Sequence, residues 1–345
     1  MTEYSRPELN QTRFWTELDF VSPGKRSGEL KCKYSNNELA LGIIPIPAAV
    51  IINGSGPTVL MIGGVHGDEY EGPVALLKFF HQVDVSEVSG RIIMLPALNF
   101  PAVDRGSRVS PWDDGNLNRA FPGDANGGPT EMIANLVESA IMPVCDGVLD
   151  LHSGGKAAWF TPCSMAMKGD DEILTGRNLE LADVFGTDIV WLMGELSDDR
   201  SVNNGALRNN IPMISVELGG GGQVTPETLR AGEAGMHNFL RYFGVLEGKP
   251  QPRSHAAKYL EFNSPSQSSY APHRGLFEPC FTPGDNVTAG EVAGYIHHFE
   301  DISKPPTAIR FPIDGIAMMR CHRGLVEHGE LLGMFGLEVD PSNRQ

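Results

Sequence analysis

Apolar and polar positions change rhythm along this chain. Between residues 58 and about 243, short runs of Val, Ile, Leu and Met alternate with longer segments whose apolar residues recur at helical spacing. The short runs predict strands near residues 59–62, 91–95, 148–152, 189–191 and 213–217, because compact apolar stretches suit strands buried on both faces. The longer segments predict helices near residues 74–82, 131–141, 172–185 and 226–242. Val74, Leu77 and Phe80 recur at helical spacing in the first. Pro226 after Thr225 starts the last, since proline suits the first helical position, where the N–H has no partner. This alternation predicts an α/β sheet with helices on both faces.

The flanks read differently. Residues 14–52 alternate loosely among turn signals and predict short strands leading into the α/β region. Residues 244–255, rich in proline and polar groups, predict a boundary, which divides the chain into an α/β domain at 1–250 and a small all-β domain at 251–345. Beyond that boundary, apolar segments are short and punctuated by glycine. The stretch from Pro283 to Ile296 and that from Glu327 to Phe335 look like two copies of one turn-strand unit. This resembles the barrel-sandwich fold of lipoyl and biotinyl carriers. The only lysine near the hairpin, Lys304, lacks a carrier's flanking residues, so a β domain without an attached cofactor is expected. His297, His298, His322 and His328 read as surface or core residues rather than a second metal site.

Composition narrows the classes. With 345 residues and 41% hydrophobic positions, the chain can hold a large core without disulfides. Its five cysteines are scattered with no Cys-x-x-Cys spacing, which fits a reducing cytoplasm. The first residues lack the basic start and apolar stretch of a signal peptide. The longest apolar run, 39–52, is interrupted by Gly42, Pro45 and Pro47 and is too short to span a bilayer. A net charge of -16 argues against nucleic acid, which needs clustered Lys and Arg.

Three short segments carry candidate chemistry: His66-Gly-Asp-Glu69, Asp150-Leu-His152 and Val216-Glu217. Two imidazoles and one carboxylate match the ligand set of a catalytic zinc with an open position, and a spare carboxylate can handle protons. His66 and Glu69 follow one predicted strand and His152 ends another, so both histidines fall where open α/β sheets bind ligands. A second group, Arg108 and Asn116-Leu-Asn118-Arg119, offers the guanidinium fork and amide donor that carboxylate recognition requires.

Together these motifs resemble the zinc carboxypeptidase-like family of aspartoacylases and succinylglutamate desuccinylases. The resemblance rests on Gly63-Gly-Val-His-Gly-Asp-Glu69, Asn116-Leu-Asn-Arg-Ala-Phe121, Asp150-Leu-His152 and Val216-Glu217, in that order. It implies a zinc-carboxypeptidase-like mixed sheet and one zinc per chain, bound by His66, Glu69 and His152. It also implies that Glu217 takes a proton from the zinc-bound water and returns it to the leaving amine. Arg108 would stabilise the developing oxyanion, while Asn118 and Arg119 hold the α-carboxylate of a small N-acyl amino acid. Two histidines and a carboxylate also suit iron, cobalt or manganese.

The two-domain layout and the sequence Ser215-Val-Glu-Leu-Gly-Gly-Gly-Gly222 are most similar to the family's branch of N-α-acetyl-L-2,4-diaminobutyrate deacetylases of ectoine degradation. A cationic side chain calls for a carboxylate, and Asp104, Asp113, Asp114, Glu195, Asp198 and Asp199 are the loop candidates. Another deacylase of the family, a metallocarboxypeptidase and a non-enzymatic scaffold are the alternatives. A homodimer is the base-rate expectation for an enzyme of this size.

Overall fold

The computed structural model describes residues 4–36, 40–194 and 198–340. Its centre is four parallel strands in the spatial order Gly90–Leu95, Thr58–Gly63, Gly147–His152 and Met213–Glu217. All four are buried along their length apart from Glu217 at one end. Side chains alternate between two cores. Leu60 and Ile62 pack with Ile133 and Leu136, whereas Val59 and Met61 pack with Phe79, Phe185 and Phe239. Helices therefore cover both faces of a mixed α/β sheet.

The helices at Glu172–Phe185 and Pro226–Tyr242 run as the pattern predicts. The first helix begins earlier, at Glu71. The segment expected as one helix at 131–141 is an α-helix over Pro129–Leu136 that continues as a π turn over Val137–Ile141. A further strand, Cys163–Met167, pairs antiparallel with Met213–Glu217 and parallel with Ile189–Met193, making the sheet mixed.

Near the N-terminus, Gly24–Tyr34 and Gly42–Asn53 are long strands, 11 and 12 residues, where short ones were expected. They pair from Gly24 with Ile52 to Tyr34 with Gly42. Pro45 and Pro47 are tolerated because pairing to the strand on the other side starts only at Ala49, so no ladder donor is lost.

From residue 251 on, the described residues form short strands and one 3-10 turn. Both turn-strand units form, as Asn286–Val287 with Val292–His297 and Leu325–Val326 with Leu331–Glu338. Four strands make a separate antiparallel sheet, and Phe277, Phe281, Phe311 and Phe335 fill a core of their own. Other strands extend the large sheet. Lys258–Glu261 lies parallel to Ile189–Met193, Leu331–Glu338 continues from it, and Gly315–Cys321 pairs with Ala158–Phe160. Through these pairings the C-terminal strands reach the carboxyl-end face of the parallel strands.

No helix among the described residues is long and apolar enough to cross a membrane.

Candidate active site

From Thr58–Gly63 the chain passes to Gly90–Leu95 on one side and later returns to Gly147–His152 on the other. That reversal opens a crevice at the carboxyl ends of the strands. His152 ends its strand, and Glu217 ends the neighbouring one as its register partner. His66 and Glu69 lie in the turn after Gly63, where Gly64 takes a left-handed φ of 70°. Gly67 admits no side chain, because a Cβ there would stand 2.0 Å from the carbonyl carbon of Ala102. Its N–H instead donates to Ser107 O at 3.0 Å, which fixes the turn against the loop that carries Arg108.

His66, Glu69 and His152 are each only 3% exposed, and one ligand atom from each lies within 4.8 Å of the others. Nδ1 of His66 is 2.7 Å from Glu69 Oε1, and Nδ1 of His152 is 2.8 Å from Oε2. The remote nitrogens are also held: His66 Nε2 is 3.1 Å from Asn116 Oδ1, and His152 Nε2 is 2.7 Å from Asp150 Oδ2. Both of those oxygens accept, so the imidazole N–H belongs on Nε2. Each Nδ1 faces a carboxylate oxygen, through an Nδ1–H when the ring is charged, and with a lone pair free for a metal ion when the ring is neutral. The donor set therefore fits a divalent ion, and the Asn116 and Asp150 contacts are the orienting kind that metal-bound histidines use.

Burial pushes Glu69 toward the neutral acid, but His66 and His152 outweigh it and hold its pKa below the usual carboxylate range. Burial likewise disfavours a charged His152, yet Asp150 and Glu69 raise its pKa well above the ordinary imidazole value. Glu217 behaves oppositely. Burial, with the negative Glu69 nearby, lifts it to about 8 against the opposing pull of His152 and Arg108. Its Oε2 is buried with no hydrogen-bond partner. A divalent ion beside it would favour the carboxylate form, the state a general base needs.

All seven residues singled out in the sequence line one cavity of about 270 Å³. Asn118 Oδ1 accepts the Val202 N–H at 3.0 Å, so its NH2 group is the part that can donate to a carboxylate. Arg119 Nε lies 3.1 Å from Asp198 Oδ2. Arg108 is 3.1 Å from Glu69 Oε1 and is paired with that carboxylate.

Sequence reasoning gave Asn116 and Asp150 no role of their own, although both stand inside the quoted motifs. It also missed the far wall, where Trp191, Phe262 and Met334 come from distant strands and loops. Among the loop carboxylates proposed for a cationic side chain, Asp198 lines the cavity and Glu195 lies outside the described residues. Asp113 is committed elsewhere, accepting from Thr130 N at 2.8 Å and Oγ1 at 2.7 Å.

The Asp150 contact makes a direct prediction. Asp150→Asn is expected to weaken metal binding by roughly 10- to 100-fold, read by competition with a chromogenic chelator. Unchanged affinity would separate Asp150 from the metal site.

Comparison with known proteins places this arrangement. Residues 55–243 match the succinylglutamate desuccinylase/aspartoacylase catalytic domain, and the chain belongs to that family. It is 38% identical over 323 residues, 94% of each chain, to a protein of Halomonas elongata named N-alpha-acetyl-L-2,4-diaminobutyric acid deacetylase. Among solved structures, a product-bound ectoine utilization protein EutE (DoeB) from Ruegeria pomeroyi superposes with a TM-score of 0.90 at 31% identity, covering 94% of this chain and 99% of that one. A succinylglutamate desuccinylase/aspartoacylase from Rhodobacter sphaeroides gives a TM-score of 0.89 at 34% identity over 95% and 100% of the two chains.

Proposed function

We propose that this protein is a zinc-dependent deacetylase that converts N-α-acetyl-L-2,4-diaminobutyrate to L-2,4-diaminobutyrate and acetate in ectoine degradation. The observation that carries this reading is the convergence of two imidazole Nδ1 atoms on one buried carboxylate, in the same small cavity as Glu217 and the Asn118-Arg119 pair. The relative from Halomonas elongata, by its name, supports the substrate.

His66, Glu69 and His152 would hold the metal. A zinc ion bound there would polarise the scissile carbonyl and lower the pKa of water toward 7. Glu217 takes the proton from the attacking water and hands it to the departing amine, which must leave protonated. Amide attack puts negative charge on the former carbonyl oxygen, and Arg108 supplies a guanidinium at the cavity wall to stabilise it more than the neutral ground state. Asn118 and Arg119 receive the α-carboxylate and so fix the amide relative to Glu217.

The division of labour between the arginines is testable. Arg119→Ala is expected to raise KM by about tenfold or more with a smaller change in kcat, since it removes ground-state binding. Arg108→Ala is expected to lower kcat by a comparable factor, since it acts on charge present only in the transition state. Equal effects on both parameters in both variants would defeat that assignment.

The substrate reading is tested by amine release from a panel: acetyl-diaminobutyrate, acetyl-aspartate, succinyl-glutamate, acetyl-ornithine and a dipeptide. Strong preference for the first is expected. Preference for an acidic substrate would move the protein to another branch of its family, and cleavage of the dipeptide alone would make it a peptidase.

A further inference from the structure

We propose that the cavity wall formed by Asp198 and Asn203 is the subsite for the substrate's side-chain ammonium, Asp198 supplying the opposing charge and Asn203 an acceptor. This rests on the deacetylase reading above and names the residues that would give it specificity.

Both side chains line the cavity. They belong to one short segment, closed by the bond from Asn204 Nδ2 to the Asp198 carbonyl at 2.9 Å. Asn203 is 4% exposed, and its Nδ2 donates to Ser215 Oγ at 2.8 Å. That bond uses the amide's donor side and leaves Oδ1 buried without a partner. Among the described cavity residues, Asn203 Oδ1 and Glu217 Oε2 are the buried side-chain acceptors left unpaired. Unpaired buried acceptors are rare in native proteins, and a ligand donor is one way to satisfy them. Ser215 sits two residues before Glu217 on the same strand and therefore on the same face, so the acceptor is anchored to the strand that carries the base.

Asp198 brings the charge. Hydrogen bonding from Arg200, with Arg119 beside it, holds its pKa down to about 2, so it is ionised throughout the neutral range. Arg200 holds both carboxylate oxygens, with Nε 3.0 Å from Oδ1 and Nη2 2.8 Å from Oδ2, and its backbone N–H donates to Oδ1 at 2.9 Å, while Arg119 Nε is 3.1 Å from Oδ2. When the substrate's α-carboxylate engages Arg119, Asp198 keeps Arg200 and the side of Oδ2 that faced Arg119 is left for a second cation. In 2,4-diaminobutyrate the carboxylate carbon and the side-chain nitrogen are four bonds apart, about 5 Å when extended. The neighbouring Arg119 and Asp198 thus match a substrate bearing both charges at short range. Asp198 pairs with Arg119 and Arg200 and with none of the three candidate metal ligands, whereas Glu69 faces two imidazoles and Glu217 serves as the base.

The test compares kcat/KM for N-α-acetyl-L-2,4-diaminobutyrate and N-acetyl-L-norvaline, which has the same side-chain length with a methyl group in place of the ammonium. The zinc-loaded parent, Asp198→Asn, Asn203→Ala and Glu195→Gln are measured side by side. The parent is expected to prefer the ammonium substrate strongly. Asp198→Asn should reduce that preference at least tenfold and Asn203→Ala severalfold, while Glu195→Gln keeps it. The ratio cancels any general loss of folded or active enzyme.

A ratio within about twofold of the parent in Asp198→Asn, with both substrates slowed together, would overturn the proposal and reduce Asp198 to a prop for Arg119. Loss of preference in Glu195→Gln instead would overturn it in favour of that residue. If the parent cleaves both substrates equally, deacetylation stands and the subsite falls. If it cleaves neither, the deacetylase reading falls and takes the subsite with it.

Discussion

Glu217→Gln is expected to lower kcat by about 10²- to 10⁴-fold while leaving zinc content and thermal stability close to those of the parent. The substitution is nearly isosteric, and its Oε2 has no partner whose loss would cost stability. What disappears is a group that can accept a proton and give it back. Burial lifts this carboxyl to about 8, which strengthens it as a proton acceptor relative to an ordinary glutamate. Steady-state kinetics with zinc content measured on the same samples decides the matter. Hydrolysis at the parent's rate would remove Glu217 from the reaction.

The second large effect concerns the ligand set. His152→Ala is expected to abolish stoichiometric zinc binding and with it all measurable hydrolysis. It deletes one of three proposed ligands and also strands the carboxylate of Asp150, which is 0% exposed and faces His152. Burying unpaired charge is costly, so a lower Tm should accompany the loss of metal. Metal analysis after dialysis, together with a melting curve, tests both parts. A variant that retains one zinc per chain would exclude His152 as a ligand.

How much of this was legible in the sequence follows from which signals are local. The strands ending in His152 and Glu217 are compact apolar runs, and a polar residue closing such a run stands out. His66 and Glu69 follow a run ending in glycines, which marks a strand passing into a turn. Cys163–Met167 was missed because Cys-Ser-Met-Ala-Met has few β-branched residues, and the strand forms through its pairing on both sides. The Val202–Arg208 helix escaped notice for a similar reason, since Val-Asn-Asn-Gly-Ala-Leu-Arg has weak helix propensity and is fixed by the Ser201 cap and its contact with the sheet.

Asn203 could not be placed from sequence because its significance lies in a bond to Ser215, 12 residues away on another element. The orienting roles of Asn116 and Asp150 were hidden differently. Both stood in plain view within the motifs, but only geometry shows an oxygen facing the far nitrogen of each imidazole. The C-terminal region's short strands and its two turn-strand units follow from local glycine punctuation. That some of those strands extend the large sheet, and that Met334 reaches the cavity wall, depends on pairings across most of the chain.

The most direct measurement strips the protein of metal with a chelator and titrates zinc back while following acetate release from N-α-acetyl-L-2,4-diaminobutyrate. Activity should vanish on stripping and rise linearly to a plateau at one zinc per chain. Hydrolysis that survives chelation, or a fully zinc-loaded protein that leaves this substrate intact, would contradict the assignment.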